Sequence, residues 1–266
     1  MTYRLISDPA DPLVADYVGL SDAEARRLPD GGIFVAEGAL VIEQLVRSPY
    51  RVRSFLVTPH GLRAVEALVA AVDAPVYLAT QDVMEAIVGF HFHRGALAAA
   101  DRAALPDPAD VAAGATRLLL VEGVSDNENL GALFRNAAAF GADGVLLDPT
   151  TADPLYRRSV RVSSGHVLRI PFARMPDWPE RAMARLQAQG FEILALTPSP
   201  TADDLRSLPL APGRRRALLV GTEGPGLSAV ALSAADRRVR IAMSPGVDSL
   251  NVATAAAIAL HHLETG

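Results

Sequence analysis

Short apolar runs alternate twice along this chain with helical stretches of roughly ten residues, and that pattern constrains the fold more than any other feature. From Gly32 to Ala100, "IFVAEG", "VRSFLVTP", "APVYLAT" and "GALAAADR" alternate with "ALVIEQLVRS", "GLRAVEALVAAV" and "QDVMEAIVGF". Strands interleaved with helices of this length predict layered α/β structure. The segment "DRAALPDPADVAAGAT" (101–116) has no periodicity and reads as a linker. Beyond it the alternation resumes on a larger scale. Strands "RLLLVEG", "GVLLD", "LRIPF", "FEILALTP", "RALLVGTE" and "RVRIAM" alternate with helices such as "NLGALFRNAAAFGA", an arginine-bearing segment from Leu155, and "SLNVATAAAIALHHLE". The second series predicts a mostly parallel sheet covered on both faces. The expected organisation is an N-terminal domain over residues 1–102, a linker over 103–116 and a second domain over 117–266.

Composition removes whole classes of chemistry. There is no cysteine, and all 25 basic residues are arginine. Thiolate metal sites, cysteine nucleophiles, Schiff bases and the P-loop lysine are therefore excluded. The 266 residues are half hydrophobic, enough for a sizeable core. The start "MTYRLISDPADP" lacks the pattern of a secretory leader, and apolar runs such as "VATAAAIAL" are too short for a membrane span, so a cytoplasmic protein without a membrane role is expected. A formal charge of −5 argues weakly against nucleic acid, but arginines cluster at 47–53, 156–169 and 213–216.

Several stretches carry candidate chemistry. "GTEGPG" (221–226) follows an apolar strand and precedes a helix, where glycines let backbone N–H groups approach a ligand. It lacks the order of the dinucleotide fingerprint, which makes a nucleotide-binding oxidoreductase a distant rival. Ser249 and Asn251 fall at the opening of the last helix; one of them suffices as a cap, and the second amide is surplus to that role. His91 and His93 alternate on one strand face without a third ligand, so no metal site is expected. In "NENLGALFRN" (127–136), Leu130, Leu133, Phe134, Ala137 and Phe140 form one apolar stripe at 100° per residue, and Arg135 projects away from it. Gly131 lies one turn before Arg135, where a missing side chain admits the close approach of another molecule. A guanidinium placed so suits a phosphate.

Taken in order, these stretches resemble the SpoU (TrmH) family of the SPOUT superfamily, RNA ribose 2′-O-methyltransferases that use S-adenosylmethionine. Asn129, Gly131 and Arg135 resemble its first motif, "LLVGTEGPGLS" its second and "IAMSPGVDSLNVATAAAIAL" its third, with Arg161, Ser163 and Gly165 of "RVSSGHVLRIPF" between them. "FVAEGALVIEQLV" and "HRGALAAA" resemble, more loosely, the family's ribosomal-protein-like substrate domain. Arg94 stands where a glutamine is common, and Thr222 where an asparagine is usual. The resemblance implies a deep trefoil knot in the C-terminal domain, against the general rule of unknotted folds, and a homodimer whose subunits both complete the site. It implies S-adenosylmethionine held around Leu196, Thr197, Gly221, Gly226, Ile241, Met243 and Leu250, catalysis by Asn129, Arg135, Glu223, Ser249 and Asn251, and contacts from Arg94, Arg158 and Arg161 to an rRNA or tRNA. A catalytically silent RNA-binding protein of the same fold is the alternative, and retention of Asn129, Arg135, Ser249 and Asn251 together counts against it.

Overall fold

In a computed structural model, which describes residues 2–20, 32–209, 211 and 213–264, the first strand–helix series forms a five-stranded mixed sheet. Its elements are β1 (Tyr3–Ile6), β2 (Ile33–Glu37), α1 (Ala39–Val46), β3 (Val52–Val57), α2 (Pro59–Ala70), β4 (Val76–Ala79), α3 (Gln81–Val88) and β5 (Ala96–Asp101). The strand order is β1-β4-β3-β5-β2, with β5 antiparallel to both its neighbours. Helix starts follow local chemistry: the Thr58 and Thr80 hydroxyls accept from the N–H groups of Gly61 and Val83, and Pro59 opens α2. Neither β1 nor the 3₁₀ turn Pro12–Tyr17 is foreseen by the strand–helix alternation. β1 is a four-residue edge strand in which Leu5 is exposed and only Ile6 is buried, too short to show an apolar period. The turn is pinned at long range, because the buried Tyr17 hydroxyl donates to the Ser54 carbonyl at 2.8 Å and accepts from the Ala99 N–H at 3.1 Å. Burial pushes that hydroxyl's pKa up.

The second series runs α4 (Pro108–Ala113), β6 (Arg117–Glu122), α5 (Asn127–Ala139) and β7 (Gly144–Leu147). It then passes through α6 (Arg157–Val162) to β8 (Phe172–Arg174), α7 (Glu180–Ala188), β9 (Glu192–Leu196), β10 (Asp203–Asp204), β11 (Arg216–Gly221), α8 (Ala229–Ala234), β12 (Arg237–Arg240) and α9 (Val252–Glu264). The strands pair in parallel throughout, in the order β10-β12-β9-β11-β6-β7-β8. Leu118, Leu120, Ile193 and Leu219 pack into one core with residues of α4, α7 and α8. The alternate residues Leu119, Val121, Leu194 and Leu218 are equally buried on the opposite face. A parallel sheet covered on both sides requires this continuous apolar strand composition.

Two expectations about organisation are corrected. The chain divides into Met1–Ala104 with Leu155–Arg169, and Leu105–Pro154 with Ile170–Gly266. The expected linker over 103–116 contains α4, started by Pro108 and capped by Asp107, and Val111, Ala112 and Ala115 belong to the second unit's core. Ala112 and Ala115 are packed while Ala103, Ala104, Ala109 and Ala113 are exposed, a difference that composition alone does not carry. The arginine-bearing segment from Leu155 belongs to the first unit. Its Arg157 and Arg161 donate to the buried Glu37 carboxylate at 2.6 and 3.3 Å, and Arg157 also lies 4.7 Å from the Phe90 ring centre. Gly165, at φ +80°, sits against α1 so closely that a Cβ would meet the Gln44 Cβ at 2.7 Å. Glu37 is almost fully buried and is shared by Arg94, Arg157 and Arg161, so neutralising it removes a buried anion on which three guanidiniums converge. A Glu37→Gln substitution is expected to cost about 3–5 kcal/mol, read as a lowered midpoint in denaturant unfolding.

Candidate functional site

The second unit carries a pocket of about 550 Å³ beyond the carboxyl ends of β9, β11 and β12, closed by the first turn of α9. Leu196, Thr197 and Pro198 form one wall, Val220 to Gly224 with Gly226 a second, and Ile241 and Met243 a third; Asp248 to Val252 and Ala255 complete it. The turn after β11 is tight. Thr222 and Gly226 form an isolated bridge, and Gly224 and Gly226 have φ of +83° and +71°. A Cβ on Gly221 would lie 2.6 Å from the Gly226 carbonyl carbon and the Leu227 nitrogen, so only glycine fits there. Among the described residues the lining includes two carboxylates, Glu223 and Asp248, and no arginine or histidine. Its electrostatics favour a ligand bearing positive charge.

Asn251 organises the rim. Its Oδ1 accepts from the N–H groups of Ala253 and Thr254 at 3.0 and 3.2 Å, capping α9, while its Nδ2 donates to Asn129 Oδ1 at 2.8 Å and Glu223 Oε1 at 2.7 Å. One side chain thus starts the helix and ties three motifs together. The expectation that the second amide is surplus to capping is corrected: Asn251 is itself the cap. Ser249 is exposed, lines the pocket and makes no side-chain hydrogen bond among the described residues.

Asp126 caps α5, accepting from the Glu128 N–H at 2.7 Å, so Asn129 lies inside the first turn. Leu130, Leu133, Phe134 and Ala137 are buried and Arg135 is exposed, as the helical spacing predicts. Arg135 makes no ion pair or side-chain hydrogen bond among the described residues and does not line the pocket. Gly131, expected to open a way to Arg135, is instead buried.

All seven residues expected to hold the cofactor line the pocket: Leu196, Thr197, Gly221, Gly226, Ile241, Met243 and Leu250. Sequence reasoning missed Asp248, although it lies two residues before Leu250 in the same motif, and it missed Arg157 and Asn136. The arginine clusters are less available than their density implies. Arg47, Arg51 and Arg53 pair with Glu43, Asp101 and Asp16, while Arg214, Arg216 and Arg237 surround Glu192. Arg94 and Arg161 pair with Glu37, and Arg158 is half-buried. His91 pairs with Glu85 at 2.7 Å and lies beside His93. Among the described residues no acidic or histidine cluster fits a metal, and no helix is long and apolar enough to cross a membrane.

Ligand pockets beyond the carboxyl ends of parallel strands are the hallmark of cofactor-binding α/β enzymes, and the second unit has that architecture. The SpoU rRNA methylase family model matches residues 116–261; the chain belongs to that family and is an RNA methyltransferase. An uncharacterised tRNA/rRNA methyltransferase of Mycobacterium tuberculosis is 46% identical over 98% of this chain and 94% of its own length. A Bacillus subtilis 23S rRNA guanosine 2′-O-methyltransferase is 29% identical over 86% of this chain and 88% of its own. The AdoMet-bound rRNA methyltransferase from Sinorhizobium meliloti superposes with a TM-score of 0.78 at 25% identity, over 99% of this chain and 98% of that one.

Proposed function

We propose that this protein transfers a methyl group from S-adenosylmethionine to a ribose 2′-hydroxyl of rRNA or tRNA. The observation that carries the reading is the cation-free pocket bearing Glu223 and Asp248, whose rim is tied by Asn251 to Asn129 and to Glu223. A sulfonium and an α-ammonium group suit those carboxylates. The tight turn at Gly221 brings backbone groups against the ligand, and Leu196, Thr197, Gly226, Ile241, Met243 and Leu250 complete its surroundings.

The cofactor supplies an electrophilic methyl that needs no further activation. The chain's own residues place the hydroxyl and manage its charge. Arg135 grips the phosphate of the target nucleotide and stabilises the alkoxide that develops as the O–CH₃ bond forms. The hydroxyl proton passes to a phosphate oxygen or water, because a guanidinium with a pKa above ~12 stays protonated. Asn129, Glu223, Ser249 and Asn251 orient ribose and cofactor. The first unit takes the RNA, with Arg94, Arg158 and Arg161 on the segments that resemble the family's substrate contacts.

The fuller assembly belongs to the same proposal: a trefoil knot, a homodimer that completes each site, and a cytoplasmic location. Support for the knot is the insertion of β11 between β6 and β9, with α9 then packing on α5 and β11. The test is twofold: calorimetric titration with S-adenosylmethionine, and transfer of labelled methyl to total RNA followed by nuclease digestion to nucleosides. Label recovered in 2′-O-methylnucleosides supports the reading; label confined to base-methylated nucleosides overturns the ribose assignment, and binding without any transfer supports a silent RNA-binding protein.

A further inference from the structure

We infer that Asn136 is a positioning residue for methyl transfer, setting the rotation of α5 from which Arg135 emerges; this rests on the proposed reaction. The Asn136 Nδ2 donates to the Ala253 carbonyl, in the first turn of α9, at 2.7 Å. The Ala253 N–H is in turn held by Asn251 Oδ1, and Asn251 Nδ2 returns to α5 at Asn129. The result is a closed circuit of hydrogen bonds, leaving α5 at Asn136, crossing the start of α9 and re-entering α5 at Asn129.

The spacing makes this circuit a rotational lock. Seven residues separate Asn129 from Asn136, about 20° short of two full turns, so both attachments lie on one line along α5. Phe140, four residues further, continues that line and meets the His261 ring at 5.5 Å between centres. The buried residues of α9 are Val252, Ala253, Ala256, Ala259, Leu260 and Leu263, and apolar packing of this kind is non-directional. Directed hydrogen bonds add an angular restraint to that packing.

Arg135 adjoins Asn136, is exposed and has no partner among the described residues to hold it otherwise. A ~10° rotation about the helix axis moves a group ~6 Å from that axis by about 1 Å. Misplacement of a reacting or stabilising group on this scale costs up to about a hundredfold in rate. Asn136 does not line the pocket; it is joined to Arg135 through α5 and to Asn251 through the Ala253 peptide, and a double-mutant cycle separates the two routes because only the first depends on Arg135.

A double-mutant cycle on the full-length protein tests this, with methyl transfer to total RNA and calorimetric S-adenosylmethionine binding as readouts. Wild-type transfer is measured first; its absence removes the proposed function and this inference together. With wild-type transfer present, Asn136→Ala is expected to lower kcat about ten- to a hundredfold at unchanged cofactor stoichiometry. Asn136→Asp, which keeps the shape but sets an acceptor against the Ala253 carbonyl, should lose at least as much. In the Arg135→Ala background, Asn136→Ala should add less than about twofold, because the group it positions is gone. Full kcat in Asn136→Ala, losses that multiply in the double variant, or a cofactor stoichiometry that falls in step with rate would each overturn the inference.

Discussion

An Arg135→Ala variant is expected to transfer methyl groups about 10²–10³-fold more slowly than wild type while binding S-adenosylmethionine within about twofold, a loss of roughly 3–4 kcal/mol of transition-state stabilisation. The separation follows from geometry. Arg135 is exposed on α5 and does not line the pocket, so its removal would delete the proposed phosphate and alkoxide contact without disturbing the pocket walls. Arg135 also makes no ion pair among the described residues, whereas Arg47, Arg157 and Arg237 already neutralise a carboxylate. Arg135→Lys should recover part of the rate, because an ammonium retains the charge but loses the planar fork. Single-turnover kinetics beside calorimetry checks both. If cofactor affinity and rate fell together in Arg135→Ala, the assignment to RNA would fail.

Gly221→Ala is expected to weaken S-adenosylmethionine binding about a hundredfold, or ~2.8 kcal/mol, while leaving the fold intact. The added methyl would lie 2.6 Å from two backbone atoms of the next turn, and backbone cannot move aside as a flexible side chain can. The loop from Thr222 to Gly226 must therefore shift, carrying Glu223 away from Asn251. Calorimetry reads the affinity, and circular dichroism the fold. A variant that bound the cofactor like wild type would show that the turn does not shape the pocket.

Much of this site was legible in the primary structure because the relevant signals are local. Glycine at a strand-to-helix turn, the helical phase of Arg135 and the placement of Asn251 at a helix start all follow from near-neighbour rules. Local rules failed where the partner is distant in sequence. The segment 103–116 looked like a tether because its alanines and prolines carry no period, yet Val111 and Ala112 fill the core beside Met183 and Ile193. Residues 155–169 looked like part of the second domain because they lie within its span, yet the Glu37 carboxylate, 120 residues before Arg157, claims them. Gly131 was read as an opening and is packed instead.

The linear order of residues settled the layered α/β class, the strands that must be buried on both faces, and the positions of Gly221, Arg135 and Asn251, since backbone preference and hydrophobic period act over a few residues. Tertiary structure alone decided which cations are spent on carboxylates and which remain free. It also decided that a single amide at Asn251 caps α9 and joins Asn129 to Glu223, and that Asn136 reaches Ala253. Hydrogen bonds and ion pairs join atoms within about 3 Å in space regardless of separation along the chain, and no local pattern encodes them.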